Sequence, residues 1–391
     1  MEITVGNLIK KAKLVRCGGG EYPVLSMTMH DGLMFQNDRF KKQIASIDKS
    51  KYQIVYRHQL VESFPIDEGV LAVQELTEVG IVSPAYKIWD VNMEKVVPKY
   101  LEFALRAPRS IEYYKSKLRG TTARRRSITD TEFCAMKINC PSLIEQERIV
   151  DVIEKTKNII NVRRLELDTL DNLIKARFVE MFGDPIKNPK GWKVATIGDV
   201  VTEVRYGTSK PAVEGGKYPY LRMNNITLDG HLDLNDLKYI DIPDDEIEKC
   251  VVRKGDVLFN RTNSVELVGK TAFFDLPQDM VIAGYIIRLR LSEKMLPEVL
   301  VQYMNLEALK KILRSMAKGA VNQANINAQE LQSIKLYIPD MDLQKQFIEM
   351  KGQVDKSKVL SETHIFYAEK SITPNTPKIF LKGRCIYGNE F

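Results

Sequence analysis

The sequence contains one module twice, and this internal repeat constrains the fold more than any other feature. A shift of 198 residues aligns eight positions, five of them identical and three with one apolar residue replaced by another. The aligned pairs are Ile128 with Ile326, Glu132 with Glu330, Phe133 with Leu331, Met136 with Ile334, Lys137 with Lys335, Ile138 with Leu336, Pro141 with Pro339 and Gln146 with Gln344. With a shift of 199 residues, Tyr86 aligns with Tyr285 and Pro98 with Pro297. Two similar domains are therefore predicted, a first copy over 1–142 and a second copy over 186–340.

Each copy has the same predicted order of elements. Short apolar runs bounded by turn residues predict that strands come first. A helix then begins at Pro98 or Pro297, because proline is tolerated in the first turn of a helix. A basic loop and a short helix follow, at 129–135 in the first copy and 327–332 in the second, and a last strand completes the module. The pattern predicts an α/β domain in each copy.

The segment between the copies has the features of a long helix. It contains no glycine or proline from Leu143 to Phe182, and Gly183-Asp184-Pro185 ends it. Apolar residues recur every seven positions, so the helix is predicted to pack against a partner helix, with a length of about 60 Å at about 1.5 Å per residue. A helix buried in one compact domain is the alternative. The predicted seam residues are Ile153, Ile160, Leu167, Leu170 and Ile174.

The segment after the second copy, 341–391, begins in the same way at Gln344 but loses the apolar pattern at 356–362. Prolines and glycines between 371 and 391 exclude one continuous helix there. We therefore expect a second spacer helix that is shortened or atypical after about residue 360. Such a helix would leave the seam of the first partly uncovered, which predicts lower stability, or self-association or another partner chain that covers it.

Few residues suggest catalysis. Gly269-Lys270-Thr271 is the one phosphate-loop candidate, but Ser264 stands where the first glycine is needed, and a strand is predicted to follow. The five cysteines lack CxxC spacing and the four histidines are scattered, which argues against a disulfide framework and against a zinc site. No apolar run approaches the roughly 20 residues that cross a bilayer. A non-catalytic binding protein of the cytoplasm is predicted.

The positive charge is concentrated in one segment. The chain has 58 Lys and Arg against 51 Asp and Glu, a net charge of +7. Residues 97–126 contain nine bases and two acids, which equals the whole excess, and the matching segment 299–323 has a net charge of +3. Basic clusters suit contacts with phosphates, although a solvated face is the ordinary alternative. The candidate phosphate contacts are Lys117, Arg119, Arg124, Arg125, Arg126 and Lys318.

Side chains that can read base edges lie in predicted loops. Amide and guanidinium groups make the paired hydrogen bonds that distinguish bases, whereas turn formation and capping are the alternative roles. In the second copy the candidates are Arg222, Asn224, Asn225, Arg261, Asn263, Asn322 and Gln323, and in the first copy Tyr86, Lys87 and Gln36.

Several short motifs resemble the specificity subunits of type I restriction–modification systems. They are the Gly191-Trp192-Lys193 opening of the second copy, the run from Gly255 to Thr262, the run from Gly80 to Tyr86, and the duplicated Lys-apolar-x2-Pro-x4-Gln ending. No single motif is diagnostic, whereas their order and duplication are specific. The resemblance covers about residues 1–365.

The resemblance implies an α+β fold, in which two α/β target-recognition domains are separated by long helices (143–185 and 341–391) that pair as an antiparallel coiled coil. It implies that each domain reads one half of a bipartite, asymmetric site in double-stranded DNA. Methyltransferase and restriction subunits would be the partners. They would bind S-adenosylmethionine, ATP and Mg²⁺, so this chain would carry no cofactor, metal or catalytic residue. A self-contained nuclease or methyltransferase, and a scaffold that does not bind DNA, are the alternatives.

Overall fold

A computed structural model describes residues 1–29, 31–39, 49–118, 126–320 and 323–372. These residues divide into two compact units, one of 1–159 with 368–372 and one of 160–367. Each unit contains one copy of the repeat.

The first unit combines short strands with helices that follow them in the chain. Its strands are β1 (Glu2–Thr4), β2 (Ile9–Lys11), β3 (Leu25–Thr28), β4 (Gly32–Phe35), β5 (Gln53–Tyr56), β6 (Leu60–Glu62), β7 (Leu71–Val73), β8 (Val79–Val82), β9 (Lys87–Val91) and β10 (Lys137–Asn139). Its helices are α1 (Gln36–Arg39), α2 (Pro98–Arg106), α3 (Pro108–Lys117), α4 (Asp130–Ala135) and the start of α5 (Leu143–Phe182). Leu101, Tyr114 and Phe133 are fully buried in its core.

The second unit contains the rest of α5 and the second copy. Its strands are β11 (Lys193–Thr196), β12 (Val201–Tyr206), β13 (Tyr218–Leu221), β14 (Lys238–Ile240), β15 (Val251–Val252), β16 (Val257–Asn260), β17 (Thr262–Asn263), β18 (Thr271–Phe273), β19 (Met280–Ile282), β20 (Ile286–Leu291), β21 (Lys318–Ala320), β22 (Gln323–Asn325) and β23 (Lys335–Ile338). Its helices are α6 (Ile247–Cys250), α7 (Pro297–Asn305), α8 (Glu307–Met316), α9 (Ala328–Gln332) and α10 (Met341–Ile372). The predicted strand after Gly269-Lys270 is β18.

The two copies share part of their topology. A four-stranded sheet has the order β2-β9-β6-β7 in the first copy and β12-β20-β16-β18 in the second. In both, the first strand pairs antiparallel with the last, as β1 with β10 and β11 with β23. In both, a helix begins at the predicted proline, and a capping box starts the short helix before the last strand. The predicted α+β fold, with similar strand and helix order in the two copies, is confirmed.

Helices α5 and α10 pair antiparallel within the second unit. The Phe347 ring is fully buried, and its centroid lies 5.3 Å from that of Phe178 and 5.4 Å from that of Phe182. Further along α10, the Lys358 ammonium lies 2.5 Å from the Asp171 carboxylate. A later residue of α10 thus meets an earlier residue of α5, which is the predicted antiparallel arrangement. Two of the predicted seam residues, Ile160 and Ile174, are buried. The other three, Ile153, Leu167 and Leu170, are half-buried.

Helix α10 does not end where the sequence predicts. It continues through 356–362 to Ile372, so the expected shortening after about residue 360 is wrong for the described residues. The polar residues that interrupt the apolar pattern are accommodated in the pair, because buried Lys358 meets a carboxylate and Ser361 is also buried. In the described residues the seam is covered by α10, so an uncovered seam no longer gives a reason to expect self-association. Residues 373–391 lie outside the described part.

Candidate nucleic-acid interface

A buried amide organises the edge of the second copy's sheet. Asn260 ends β16 with no exposed surface, and its Nδ2 donates to the carbonyl oxygens of Thr262 and Tyr285, at 3.1 Å each. Its Oδ1 accepts from Nδ2 of Asn263 at 2.8 Å. These bonds satisfy an amide that would be costly to bury alone. They also fix the direction in which 261–263 leaves the sheet.

Arg261 follows Asn260 and is held at both of its backbone groups. Its N–H donates to the Tyr285 carbonyl, and its own carbonyl accepts from the N–H of Ile326, at 2.9 Å each. The guanidinium carbon lies 4.9 Å from the centroid of the Tyr206 ring, within range of a cation–π contact. The Tyr206 hydroxyl accepts from the N–H of Ala328 at 2.8 Å, which fixes the ring in turn.

A hairpin borders this arginine. Strand β17 pairs with β22, which in turn pairs with β21, and the Thr262 hydroxyl donates to Oδ1 of Asn325 at 3.2 Å. Two predicted contact residues, Lys318 and Gln323, belong to these strands. A third, Asn322, lies outside the described residues. The second copy thus brings Arg261, Asn263 and the two hairpin strands to one edge of the domain.

The predicted Arg222–Asn225 group has internal partners. The Arg222 guanidinium donates to the Asp236 carboxylate at 2.7 Å and to its carbonyl at 2.8 Å. Asn225 is buried, accepting from the Arg222 N–H at 2.8 Å and donating to the Asp233 carbonyl at 2.7 Å. These two residues stabilise a turn, which was the alternative role. Asn224 between them is exposed.

In the first copy, buried Glu62 holds a place equivalent to that of Asn260. Glu62 lies opposite Lys87 in its sheet as Asn260 lies opposite Ile286, and Lys87 aligns with Ile286 in the repeat. The Glu62 carboxylate accepts from Lys87 Nζ at 2.9 Å and from Trp89 Nε1 at 3.0 Å. Burial raises the pKa of Glu62, while the Lys87 charge and these hydrogen bonds act in the opposite direction.

This arrangement changes how two predicted contacts of the first copy are interpreted. The ammonium of Lys87 also lies 2.9 Å from the Asp130 carboxylate, so its charge is compensated within the domain. The neighbouring Tyr86 is half-buried, with its ring edge-on to Phe64 at a centroid distance of 6.0 Å. Gln36, the third candidate of this copy, is buried. Of the three, Tyr86 and Lys87 are partly open to solvent, and the Tyr86 ring is the one without an ion-pair partner.

Much of the basic segment 97–126 is also neutralised internally. Arg126 lies 2.9 Å from the Asp67 carboxylate and 2.5 Å from that of Glu68. Three further bases pair with acids of the same unit, namely Lys99 and Arg106 with Glu102, and Arg109 with Glu2. Lys117 is exposed at the end of α3. Arg119, Arg124 and Arg125 lie outside the described residues.

Comparisons with known proteins agree with this architecture. Residues 189–365 match the family model described as "Type I restriction modification DNA specificity domain". A protein of Methanocaldococcus jannaschii named as the MjaX type I restriction enzyme specificity subunit is 30% identical over 199 residues, which are 50% of this chain and 47% of that protein. The EcoKI specificity subunit of Escherichia coli is 22% identical over 259 residues, covering 62% of this chain and 56% of that one. The matches thus span about half the length of these relatives.

A solved structure extends the likeness in fold to nearly the whole chain. It comes from work on the complex assembly and conformational transition of the type I R-M system. The two chains align with a TM-score of 0.56 and 18% sequence identity, over 96% of this chain and 98% of the other. The likeness in sequence over residues 189–365 is to the type I restriction modification DNA specificity domain, and the likeness over nearly the whole chain is one of fold.

Sequence reasoning missed Tyr206. Tyr206 is the last residue of β12, and its ring supports Arg261. The following Gly207 lies so close to the end of β19 that a Cβ at this position would be 2.2 Å from the Ile282 carbonyl oxygen. An aromatic residue followed by glycine at a strand end was the available signal. Within the described ranges, no three His, Cys, Asp or Glu side chains group to hold a metal ion, and no helix is long and apolar enough to span a membrane.

Proposed function

We propose that this chain is the sequence-specific DNA-binding subunit of a type I restriction–modification complex. Each copy reads one half of a bipartite, asymmetric site in double-stranded DNA. The chain supplies recognition and contributes no catalytic residue, while methylation of adenine and cleavage belong to methyltransferase and restriction subunits in the cytoplasm. Those partners bind S-adenosylmethionine, ATP and Mg²⁺.

The observation that carries this proposal is the duplicated topology. Two domains with the same order of strands in one four-stranded sheet and with equivalent capping boxes support two recognition surfaces of similar construction. The edges of their sheets are built differently, since buried Glu62 in one copy takes the place of buried Asn260 in the other. Similar domains with different edges suit two half-sites of different sequence. Exposed bases such as Lys117 are available for contacts with phosphates.

An exposed apolar face on α5 supports the docking of a partner subunit. Val162 is 55% exposed, Leu165 66% and Leu173 42%. Their spacing of three and eight residues keeps them on one side of a helix. Large apolar side chains left open on a helix that is already paired indicate a surface for another protein. We assign this face to a methyltransferase subunit.

Co-expression with the methyltransferase subunit of the same system, followed by mapping of methylated adenines across the host genome, tests the proposal. We expect one gapped motif with two defined parts. A continuous short motif, or no methylation that depends on this chain, would contradict it. The purified chain alone, given S-adenosylmethionine or Mg²⁺ with DNA, should show no methyl transfer and no cleavage. Activity in that assay favours the self-contained enzyme, and a failure to bind DNA favours the scaffold.

A further inference from the structure

We propose that Arg261 reads a guanine in the half-site bound by the second copy, with Tyr206 as its positioning residue. The inference rests on the proposed function and names the base that this surface recognises. It starts from a contrast among the arginines of the second copy. Six of the seven have a carboxylate partner within 3.1 Å: Arg205, Arg222, Arg253, Arg288, Arg290 and Arg314.

Arg261 is the seventh, and its guanidinium makes no hydrogen bond or ion pair with any residue in the described ranges. Its Nε is buried without a partner, so the stem is packed while the charge is uncompensated. The side chain instead lies over the Tyr206 ring, which is itself 43% exposed. A guanidinium on an aromatic face loses little conformational freedom when it binds, because it is already oriented.

The surroundings favour guanine over adenine as the base. Guanine presents two acceptors, N7 and O6, at a spacing that matches the guanidinium fork, whereas adenine is read by an amide group. The amide of Asn263, two residues along the chain, is engaged on both sides, since its Nδ2 donates to Asn260 and its Oδ1 accepts from the N–H of Ser264 at 2.9 Å. Arg261 thus brings donors that are not used by the described residues to this edge.

The backbone contacts give the reading its geometric precision. Both peptide groups of Arg261 are hydrogen-bonded, one to the strand side at Tyr285 and one to the segment that follows the hairpin at Ile326. The Cα position is therefore fixed by two elements. A long side chain on a fixed Cα, supported by a fixed ring, can discriminate one base at one position of the site.

The test is methylation mapping with the full chain and its methyltransferase subunit, in wild type, three variants and one control variant. Arg261→Ala and Arg261→Lys should both relax one guanine position in one half of the gapped motif, by roughly ten- to hundred-fold in relative methylation. Lysine keeps the charge and loses the paired hydrogen bonds, so its failure to restore the position separates base reading from phosphate contact. Tyr206→Leu should relax the same position to a smaller extent.

Arg205→Ala is the matched control, because Arg205 precedes Tyr206 in β12 and its side chain leaves the opposite face of the sheet. It should leave the motif unchanged. An unaltered motif in Arg261→Ala, or relaxation at an adenine or thymine position, overturns the inference while the proposed function stands. Full rescue by Arg261→Lys also overturns it. Absence of any gapped motif with the wild-type chain overturns both. Melting temperatures identify any variant that fails to fold. If Arg261→Ala does not fold, the methylation motif of Arg261→Lys decides whether Arg261 reads the base.

Discussion

Gln146 and Gln344 make the same three hydrogen bonds in the two copies. The side-chain oxygen accepts from the N–H of the residue before the helix-starting proline, Val97 at 2.8 Å in one copy and Leu296 at 2.9 Å in the other. The Nε2 group donates to the carbonyl of Pro141 or Pro339, at 2.8 and 2.9 Å. It also donates to the carbonyl of Lys95 or Lys294, at 3.3 and 3.1 Å. Both side chains are fully buried.

Replacement of either glutamine should destabilise its own copy. Gln146→Ala and Gln344→Ala each leave three backbone groups without their partner, so we expect a loss of about 1–3 kcal/mol in the free energy of unfolding. Urea denaturation followed by circular dichroism measures it. The control is Gln353→Ala, an exposed glutamine of α10, for which a change within about 0.5 kcal/mol is expected. Equal effects at positions 344 and 353 would count against the role of the hydrogen bonds.

Two glycines should respond in opposite directions to alanine. In Gly207→Ala the new Cβ would lie 2.2 Å from the Ile282 carbonyl oxygen and 2.3 Å from that of Ala283, and neither backbone group can move away cheaply. We expect a loss of about 2 kcal/mol or more. In Gly352→Ala nothing lies within 4 Å and the residue is inside α10, so a gain of up to about 1 kcal/mol is expected. Thermal unfolding of both variants compares the two signs directly.

Lys310 should make stability depend on pH in the neutral to alkaline range. Burial, and next the charge of Arg314, lower the pKa of Lys310 to about 7, while its Nζ donates to the Gly269 carbonyl at 2.6 Å. The lysine pKa in the unfolded chain is about 10.4. Between about pH 7 and about pH 10, the Lys310 amine is therefore protonated in the unfolded chain and mostly neutral in the folded chain. Stability contributed at this site therefore rises with pH from about 7 to about 10.

The expected measurement is a stability difference between wild type and Lys310→Met that shifts in favour of wild type as the pH increases from 6 to 9. Urea denaturation at each pH provides it. Lys311→Met, at an exposed neighbour on the same helix, should show a constant difference. A flat profile for Lys310→Met would mean that the lysine stays protonated in the folded chain.

Charges on the exposed apolar face of α5 should prevent the docking of the methyltransferase subunit. Leu165→Glu combined with Leu173→Glu should reduce its capture on the tagged chain by at least ten-fold, with little change in unfolding temperature because both side chains already contact water. Gln353→Glu, at an exposed position of α10 instead of α5, adds the same type of charge and should have no effect. Undiminished capture by the double variant would remove the assignment of this face.

The fold could be predicted from the sequence to the extent that it rests on local pattern and repetition. The prolines that start helices, the capping residues and the apolar periods depend on neighbours in the chain. Ion pairing depends on residues that are distant in sequence. Lys87 and Arg126 were predicted to contact DNA because the sequence does not show that Glu62 and Asp67 lie beside them. The polar residues around Lys358 were interpreted as a break in the apolar pattern because Asp171, the partner of Lys358, lies 187 residues away in the sequence. The sequence therefore predicted Arg261 and the residues of its hairpin as candidate contacts, but it could not predict which other candidates are ion-paired within the domain.

The pairing of the first strand of each copy with its last strand has a consequence for how such chains can change. The chain enters a copy at β1 or β11 and leaves it at β10 or β23, so entry and exit lie side by side. An exchange of one copy for another would therefore leave the ends of the chain that enter and leave it at the same spacing. Under the proposed function, a new half-site needs only such an exchange of cassettes, without a redesign of the chain that carries them.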